Sequence, residues 1–221
     1  MTKIYLVRHC EALGNIRRVF QGHTDLDISE LGNEQLSALS KRFENIKIDK
    51  VYTSPLLRAR KTAQAIIGSK TLKAEIDEGL IELNAGIFEN NPFEMMNEFP
   101  DIADAWNFHP QDFNPPEGES MKDAYKRIWN TVKKIAKNNN GKTVACATHG
   151  GVMRCINCRL IKNDINELKN IDWAGNTAVS LVEFDDELNY TVRIYNDISH
   201  LPENLINKKS QIVSAVTGGK I

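Results

Sequence analysis

The stretch LVRHCEALGN, residues 6–15, joins a short apolar run to an arginine, a histidine and a polar turn that contains glycine. The residues KIYLVRH (3–9) predict a β-strand that ends at this point. Arg8 and His9 would then stand together at the carboxyl end of that strand. A single histidine after a strand is most often a polar loop residue, so the rest of the chain must decide whether this pair has a chemical role.

Short strand-like runs alternate with longer helical patterns along the rest of the chain, which predicts an α/β fold. We expect a three-layer α/β/α sandwich with a mostly parallel central sheet and a small inserted cap. The predicted strands are residues 3–9, 50–54, 74–77, 142–149, 178–184 and 190–196, the last two joined by a hairpin-like DDELN. The predicted helices are residues 29–43, 56–67, 120–137 and 150–160.

The length of 221 residues predicts a single domain. Between about residues 88 and 119 the pattern changes to prolines, short helical runs and loops, and we expect a cap insertion over one end of the sheet. The segment from about 201 to 221 is polar and is expected to be a loosely docked tail.

Charge and composition exclude several classes of partner. A formal net charge of -1 gives no electrostatic basis for binding nucleic acid or an anionic membrane. The apolar run near the N-terminus is far too short for a signal peptide or a membrane span, so we expect a cytoplasmic protein. Cys155 and Cys158 form a CxxC without a second pair or a nearby histidine, and no metal site is predicted. These features do not predict the oligomeric state.

Three of the predicted strands lead to cationic or imidazole side chains. The first ends at Arg8 and His9, KVYTS leads to Arg58, and TVACATH ends at His149. Because ligands of parallel α/β sheets lie outside the carboxyl ends of the strands, we expect these groups to surround one site. The remaining histidines lack such neighbours and are predicted to have no special role: His23, His109 and His200.

Two imidazoles with two arginines suit a phosphoryl group, because guanidinium donors match its oxygens and an imidazole nitrogen can attack phosphorus. The leaving alcohol then needs a proton from a nearby acid. Glu82, in GLIELNAGIFEN just after the predicted strand 74–77, is the candidate for that acid. No cluster of acidic or histidine residues demands a metal, and no cofactor is predicted.

Six segments, spread in order over nearly the whole chain, resemble the motifs of the histidine phosphatase superfamily, also called the phosphoglycerate mutase-like family. They are LVRHCEALGN, FQGHTDLDISELG, YTSPLLRARKTAQ, GLIELNAGIFEN, PPEGES and ATHGGVMR. Any one of these is a modest signal, whereas six in the family's order are specific.

The resemblance implies that His9 is the phosphorylated nucleophile and that Glu82 protonates the leaving oxygen and then activates water. It implies further contacts to the phosphoryl group or substrate from Arg8, Arg58, His149, Asn15, Gln21, Gly22 and the Gly150 backbone. The expected activity is hydrolysis of a small phosphorylated metabolite, as a metal-independent, acid-type histidine phosphatase working through a phosphohistidine. The alternatives are a 2,3-bisphosphoglycerate-dependent phosphoglycerate mutase and a non-catalytic phosphate-binding module.

The sequence departs from the family's pattern at three positions. Cys10 stands where glycine is usual, beside the nucleophile, and we expect its side chain either to crowd the pocket or to require a small backbone shift. We also expect its thiol, among cationic groups, to have a lowered pKa and to be oxidisable. Asn90 replaces a usual glycine, and Val19 replaces a frequent arginine, with Arg18 one place early.

Other phosphatase and hydrolase chemistries lack their motifs. A cysteine phosphatase needs an arginine six positions after its cysteine, and those positions hold Ile16 and Val152. The chain also has no G-x-S-x-G of a serine esterase and no GxxxxGK[ST] of a nucleotide-binding loop.

The segment 74–121 contains no lysine or arginine, and six of the chain's sixteen aromatic residues lie there. Such a cap offers no cation to a second phosphate, so the sequence favours a phosphatase for an ester whose alcohol is uncharged, apolar or sugar-like. The alternative is that the aromatic residues serve only to pack the insertion onto the core. A mutase would have to use Arg17, Arg18 and Arg60.

Overall fold

The computed structural model describes residues 1–207, and residues 208–221 lie outside the described part. The strands are β1 Thr2–Arg8, β2 Lys50–Thr53, β3 Ala74–Ile76, β4 Thr143–Thr148, β5 Val179–Phe184 and β6 Tyr190–Asp197. The helices are α1 Leu13–Arg17, α2 Glu30–Phe43, α3 Leu57–Ile67, α4 Pro100–Phe108, α5 Met121–Asn138 and α6 Gly150–Ile161. Within residues 1–207, no helix is both long and apolar enough to cross a membrane.

The six described strands form one mixed sheet in the order β3-β2-β4-β1-β5-β6. The first four run parallel to one another, whereas β5 is antiparallel to both of its neighbours. This arrangement confirms the predicted α/β fold with a mostly parallel sheet and the hairpin between the last two strands. At the centre, β1 and β4 pair up to Arg8 opposite Thr148, so the residues that follow leave the sheet side by side.

Alternation along β1 explains the three layers, because successive side chains of a strand point to opposite faces. Ile4 and Leu6 belong to the apolar cluster that includes residues of α5 and α6, whereas Val7 belongs to the cluster that includes α2 and α3. All three are fully buried. Burying one such side chain stabilises the fold by about 1.5–3 kcal/mol, so a helix on each face is required to cover the sheet.

Two of the predicted helix starts are fixed by serine caps. The Ser29 hydroxyl accepts a hydrogen bond from the Gly32 amide at 3.0 Å, and the Ser120 hydroxyl accepts one from the Asp123 amide at 3.2 Å. Such bonds satisfy amide groups that the first turn of a helix leaves without a backbone partner. They explain why α2 and α5 begin where the sequence indicates.

The segment 88–119 contains the short 3-10 turns Phe93–Glu98 and Pro110–Asp112 on either side of α4. Its aromatic residues pack mainly on one another and on Phe20: the Trp106 ring centroid lies 5.0 Å from that of Phe20 and 4.8 Å from that of Phe113. The aromatic residues therefore hold this segment on the core, which is the second of the two roles that the sequence leaves open for them.

The described part of the expected tail, residues 201–207, is packed rather than loosely docked. Leu201 and Leu205 are buried, and the Gln35 side chain of α2 donates a hydrogen bond to the Leu205 carbonyl at 2.9 Å. Two apolar side chains in a polar segment account for this difference from the prediction. The remainder of the predicted tail lies outside the described residues.

Candidate active site

The ends of the parallel strands bring the predicted charged residues together. Arg8 ends β1 and His9 follows it, whereas His149 follows β4 and begins the turn into α6. The ring centroids of the two histidines lie 5.3 Å apart. Arg58, in the first turn of α3 after β2, and Glu82, after β3, both interact electrostatically with this group. Five residues spread over 142 positions of the chain thus surround one point.

His9 is held as a neutral ring with a defined tautomer. Its Nδ1 lies 2.5 Å from the Cys10 carbonyl oxygen. Because a carbonyl can only accept, Nδ1 carries the proton and Nε2 keeps its lone pair. Burial, followed by the charges of Arg58 and Arg8, lowers the pKa of His9 well below its usual value. The His9 carbonyl in turn accepts a hydrogen bond from the Asn176 side chain at 3.1 Å.

Arg8 and Arg58 are buried cations, only 2% and 1% exposed. Arg58 donates to the carbonyls of Gly22 and Thr24 at 2.7 and 2.8 Å, and Arg8 donates to the carbonyl of Ala174. Within residues 1–207, neither guanidinium forms a direct ion pair and neither Nε finds a protein acceptor. Burial lowers the pKa of Arg8 to about 10. Unpaired buried charges are costly, so the pair is arranged to receive an anion.

His149 completes the group of donors. Its ring is fully buried, with Nε2 2.6 Å from the Ser54 hydroxyl and with no partner for Nδ1 among the described residues. Burial and the neighbouring Arg58 lower the pKa of His149 well below its usual value. A second neutral imidazole therefore lies beside the first.

Glu82 lies against the N-terminus of α6. Its carboxylate accepts hydrogen bonds from the amides of Gly151 at 3.1 Å and Val152 at 3.2 Å, and from the adjacent Leu83 at 3.0 Å. A Cβ atom at Gly151 would lie 2.7 Å from the Glu82 carboxylate, so this approach requires glycine. Gly150 makes room for Arg8 in a similar way, since a Cβ there would lie 3.3 Å from the Arg8 Nε.

The loop after α1 contains the other predicted contacts. The Asn15 side-chain oxygen accepts from the Ala12 amide at 2.9 Å and so closes its own turn. The Gln21 side-chain oxygen is buried without a donor among the described residues. The rest of the Gln21 side chain packs over Gly14. Gly22 contributes its carbonyl to Arg58. Gly22 therefore positions the Arg58 guanidinium through its backbone carbonyl.

Residues 4–197 match the family model of the histidine phosphatase superfamily (branch 1). The chain belongs to this superfamily. The predicted resemblance is therefore confirmed, and the matched residues include both histidines, both arginines and Glu82 of the site.

The relatives of this histidine phosphatase include phosphoglycerate mutase-like protein 4 of Arabidopsis thaliana. The two sequences are 30% identical over 206 residues, and the match covers 91% of this chain and 87% of that protein. Putative phosphoserine phosphatase 2 of Hydrogenobacter thermophilus is 32% identical over 184 residues, covering 82% and 90%. A phosphoserine phosphatase mutant of Entamoeba histolytica, solved in complex with phosphoserine, has a TM-score of 0.80 and 26% identity, covering 91% and 100%. Two of these three names favour the predicted phosphatase over the mutase alternative.

The expectation for Cys10 in this histidine phosphatase is wrong. Cys10 is fully buried and its sulfur faces Gly32 of α2, where a Cβ atom would lie 3.4 Å from it. Burial raises the pKa of the thiol to about 12 instead of lowering it. The cause is alternation along the chain: His9 lies in the pocket, so the next side chain is directed to the other side. Asn90 has a φ of 57°, the left-handed backbone that asparagine tolerates, which explains the replaced glycine.

Sequence reasoning missed three residues that organise the site. Ser54 contacts His149, as described above. Glu89 accepts hydrogen bonds from the amides of His23, Thr24 and Ala85, each at 2.9 Å, and so holds the loop that receives Arg58. His23, which the sequence set aside, has its Nε2 2.9 Å from the Glu82 carbonyl oxygen. Their signal was present, because each lies inside a family-like segment, but their roles depend on contacts between segments.

A cavity of about 520 Å³ lies beside Ile81, the residue before Glu82, and its lining includes none of the five site residues. Its lining mixes apolar surface with polar groups and comprises His23, Ile81, Asn84, Asn114, Gly118, Glu119, Ser120, Asp123 and Arg127. The Arg127 guanidinium is already bound to Glu119 at 2.6 and 2.7 Å and to two backbone carbonyls. The lining therefore offers amides, a hydroxyl and carboxylates together with apolar surface. Among residues 1–207 there is no group of three or more side chains suited to hold a metal ion.

Proposed function

We propose that this histidine phosphatase hydrolyses small phosphomonoesters, without a metal, through a phosphohistidine formed on His9. One observation carries the proposal: His9 lies among three buried nitrogens that have no hydrogen-bond partner in residues 1–207, namely the Nε of Arg8, the Nε of Arg58 and Nδ1 of His149. A phosphoryl group supplies both an electrophilic phosphorus and oxygens to which these nitrogens can donate.

The reaction proceeds in two displacements. Nε2 of His9 attacks phosphorus, the bond from phosphorus to the ester oxygen breaks, and the Glu82 carboxyl group gives its proton to the departing alcohol. Water then attacks the phosphohistidine while the Glu82 carboxylate takes a proton from it, and inorganic phosphate leaves as the bond to Nε2 breaks. Arg8, Arg58 and His149 stabilise the phosphoryl oxygens throughout, and catalysis of phosphoryl transfer consists mainly of such stabilisation together with positioning.

A small polar alcohol is the proposed leaving group. Within the segment 74–121, which carries Glu82, no lysine or arginine is available for a second phosphate. The nearby cavity, lined by Asn84, Asn114 and Ser120 among others, offers hydrogen-bonding groups to an alcohol. Two of the relatives above bear the name phosphoserine phosphatase, which makes phosphoserine the first substrate to test. Mutase activity would need cations such as Arg17, Arg18 and Arg60, and all three are exposed.

The decisive experiment compares wild type, His9→Ala and, as a matched control, His109→Ala, which changes an exposed histidine. The substrates are p-nitrophenyl phosphate, phosphoserine, and 3-phosphoglycerate with and without 2,3-bisphosphoglycerate, all in the presence of EDTA. We expect His9→Ala to lose at least about 10³-fold in kcat, and His109→Ala to match wild type. A denaturing quench at alkaline pH, where phosphohistidine is stable, should trap label on His9.

Each alternative gives a different result. Interconversion of phosphoglycerates that depends on 2,3-bisphosphoglycerate and exceeds hydrolysis would identify a mutase. Phosphate binding without release from any ester would identify a binding module. Normal turnover by His9→Ala, or loss of turnover in EDTA that added metal restores, would refute the proposed mechanism.

A further inference from the structure

Among the described residues, the His149 ring has one hydrogen-bond partner, which is Ser54. Its hydroxyl oxygen lies 2.6 Å from Nε2, and both residues are fully buried. The other ring nitrogen, Nδ1, has no hydrogen-bond partner among residues 1–207. The proposed function uses His149 as a hydrogen-bond donor to a phosphoryl oxygen, so the position of its single ring proton decides whether it can do so.

His149 has only one proton to place. Burial and the two guanidinium groups of Arg58 and Arg8 favour the neutral ring. A neutral imidazole has one N–H donor and one acceptor nitrogen. If the proton is on Nε2, the nitrogen left for the phosphoryl oxygen presents a lone pair to a negatively charged atom. Only the tautomer with hydrogen on Nδ1 can bind that oxygen.

The surroundings of Ser54 decide between the two tautomers. Its hydroxyl oxygen already accepts a hydrogen bond from the Leu56 amide at 3.3 Å. Among the described residues, the acceptor within reach of the hydroxyl proton is Nε2 of His149. A proton on that nitrogen would leave the buried hydroxyl without an acceptor, and buried polar groups are rarely left unsatisfied.

We infer that Ser54 is a positioning residue that donates its proton to Nε2 of His149 and thereby holds the ring in the tautomer with hydrogen on Nδ1. The inference rests on the proposed function. It gives the two imidazoles complementary tasks without charging either one. The Cys10 carbonyl, which only accepts, leaves His9 a lone pair for attack, whereas the Ser54 hydroxyl, which donates, leaves His149 an N–H for binding.

The tautomer can be observed directly in the wild-type enzyme. In long-range ¹H–¹⁵N spectra of histidine-labelled protein, the protonated and bare ring nitrogens have well-separated shifts, and His149→Gln assigns the signals. We expect His149 to show a protonated Nδ1 and a bare Nε2 at neutral pH. A protonated Nε2, or a ring protonated on both nitrogens, would overturn the inference whatever the kinetics show.

Ser54→Ala provides the functional test, with Ser180→Ala as a matched loss of another fully buried serine hydroxyl. Without its partner, His149 populates both tautomers, and a lost donor to the phosphoryl group costs on the order of 100-fold in rate. We expect kcat to fall by about this factor in Ser54→Ala, with a smaller change in KM, and Ser180→Ala to retain wild-type kinetics. Ser54→Thr, which keeps a hydroxyl, should restore part of kcat and the original tautomer.

Failure of this inference differs from failure of the proposed function. Label trapped on His9 in wild type together with an unchanged kcat and tautomer in Ser54→Ala would refute the role of Ser54 and leave the phosphohistidine in place. A kcat in Ser54→Ala that falls no further than in Ser180→Ala would equally refute it. Loss of label on His9 in every variant would instead refute the mechanism on which the inference depends.

Discussion

At the scale of single residues, the site depends on burial more than on residue type. Arginine and histidine are common on protein surfaces, but Arg8, Arg58 and His149 are at most 2% exposed, and among residues 1–207 one nitrogen of each has no hydrogen-bond partner. In such surroundings a charge interacts more strongly than in water. The sequence predicts that these side chains lie close together, because the ends of the parallel strands can be identified from the apolar runs that precede them. It could not predict the tautomers of the two histidines, because these depend on partners such as Ser54, which follows a different strand.

Cys10 gives a prediction that reverses the one drawn from sequence. Because the thiol is buried and its pKa is raised to about 12, we expect it to resist both peroxide and aromatic disulfide reagents in the folded enzyme. The measurement is thiol titration before and after unfolding, with activity followed in parallel. The described cysteines, all four of them buried, should react only in the unfolded chain.

Cys10→Ser is the control for that experiment. If native wild type shows a rapidly reacting thiol that Cys10→Ser lacks, and its modification abolishes turnover, then Cys10 is accessible and this account of its burial is incorrect. Slow reaction at the rate of global unfolding would agree with the structure.

At the scale of elements, the segment after β1 is fixed by the close approach of α2. A Cβ atom at Gly32, in the first turn of α2, would lie 2.2 Å from the backbone carbonyl oxygen of Glu11. Alanine in a helix ordinarily stabilises by about 1 kcal/mol relative to glycine. Here the clash is with backbone, which cannot rotate away, and overpacking of this kind costs about 1–3 kcal/mol.

We therefore expect Gly32→Ala to lower the free energy of unfolding by about 1–2 kcal/mol and also to lower kcat, since Glu11 is only two residues from His9. Denaturant unfolding and steady-state kinetics provide the two measurements. Glu34→Ala, at an exposed position of the same helix, serves as the control. A Gly32→Ala enzyme as stable as the control would show that the helix does not set the position of this segment.

The elements also show where prediction from sequence ends. The helices α2, α3, α5 and α6 were predicted to within one or two residues at each end, because capping serines and apolar periodicity are local signals. The loop at 22–24 was not predicted. Its conformation depends on Glu89, which lies more than 60 positions away and accepts hydrogen bonds from the amides of His23 and Thr24. Contacts between residues that lie so far apart in the chain produce no local pattern in the sequence.

At the scale of the whole molecule, the fold places a group of basic residues in its interior at the end of the sheet. Their solvation is lost on folding, and this is the reason for the lowered pKa values of His9, His149 and Arg8. His200 behaves in the same way: burial and the adjacent Arg42 lower its pKa to about 4. The same burial that suits the site to an anion therefore disfavours protonation of these histidines in the folded state.

This arrangement predicts how stability depends on pH. When the pKa of a histidine is lower in the folded state than in the unfolded chain, the unfolded chain binds more protons between the two values. For His200 that interval runs from about 4 to the ordinary 6.5, and for His9 and His149 it extends well below 6.5. The free energy of unfolding is therefore greatest above the ordinary value and falls as the pH decreases through it. Each group adds at most about 1.4 kcal/mol per pH unit to the slope.

Denaturant unfolding at a series of pH values between about 5 and 7.5 measures this slope, the lower limit being chosen because carboxylates titrate below it. We expect His149→Gln and His200→Gln each to reduce the slope below pH 6.5, whereas His109→Gln, at an exposed position, should leave it as in wild type. Each of the three variants replaces one histidine by glutamine. A difference among their slopes of unfolding free energy against pH therefore reports the burial of the replaced histidine and not the number of histidines. A wild-type free energy of unfolding that is constant from pH 7.5 to 5 would mean that these imidazoles accept protons freely in the folded enzyme, and the neutral nucleophile proposed for His9 would lose its physical basis.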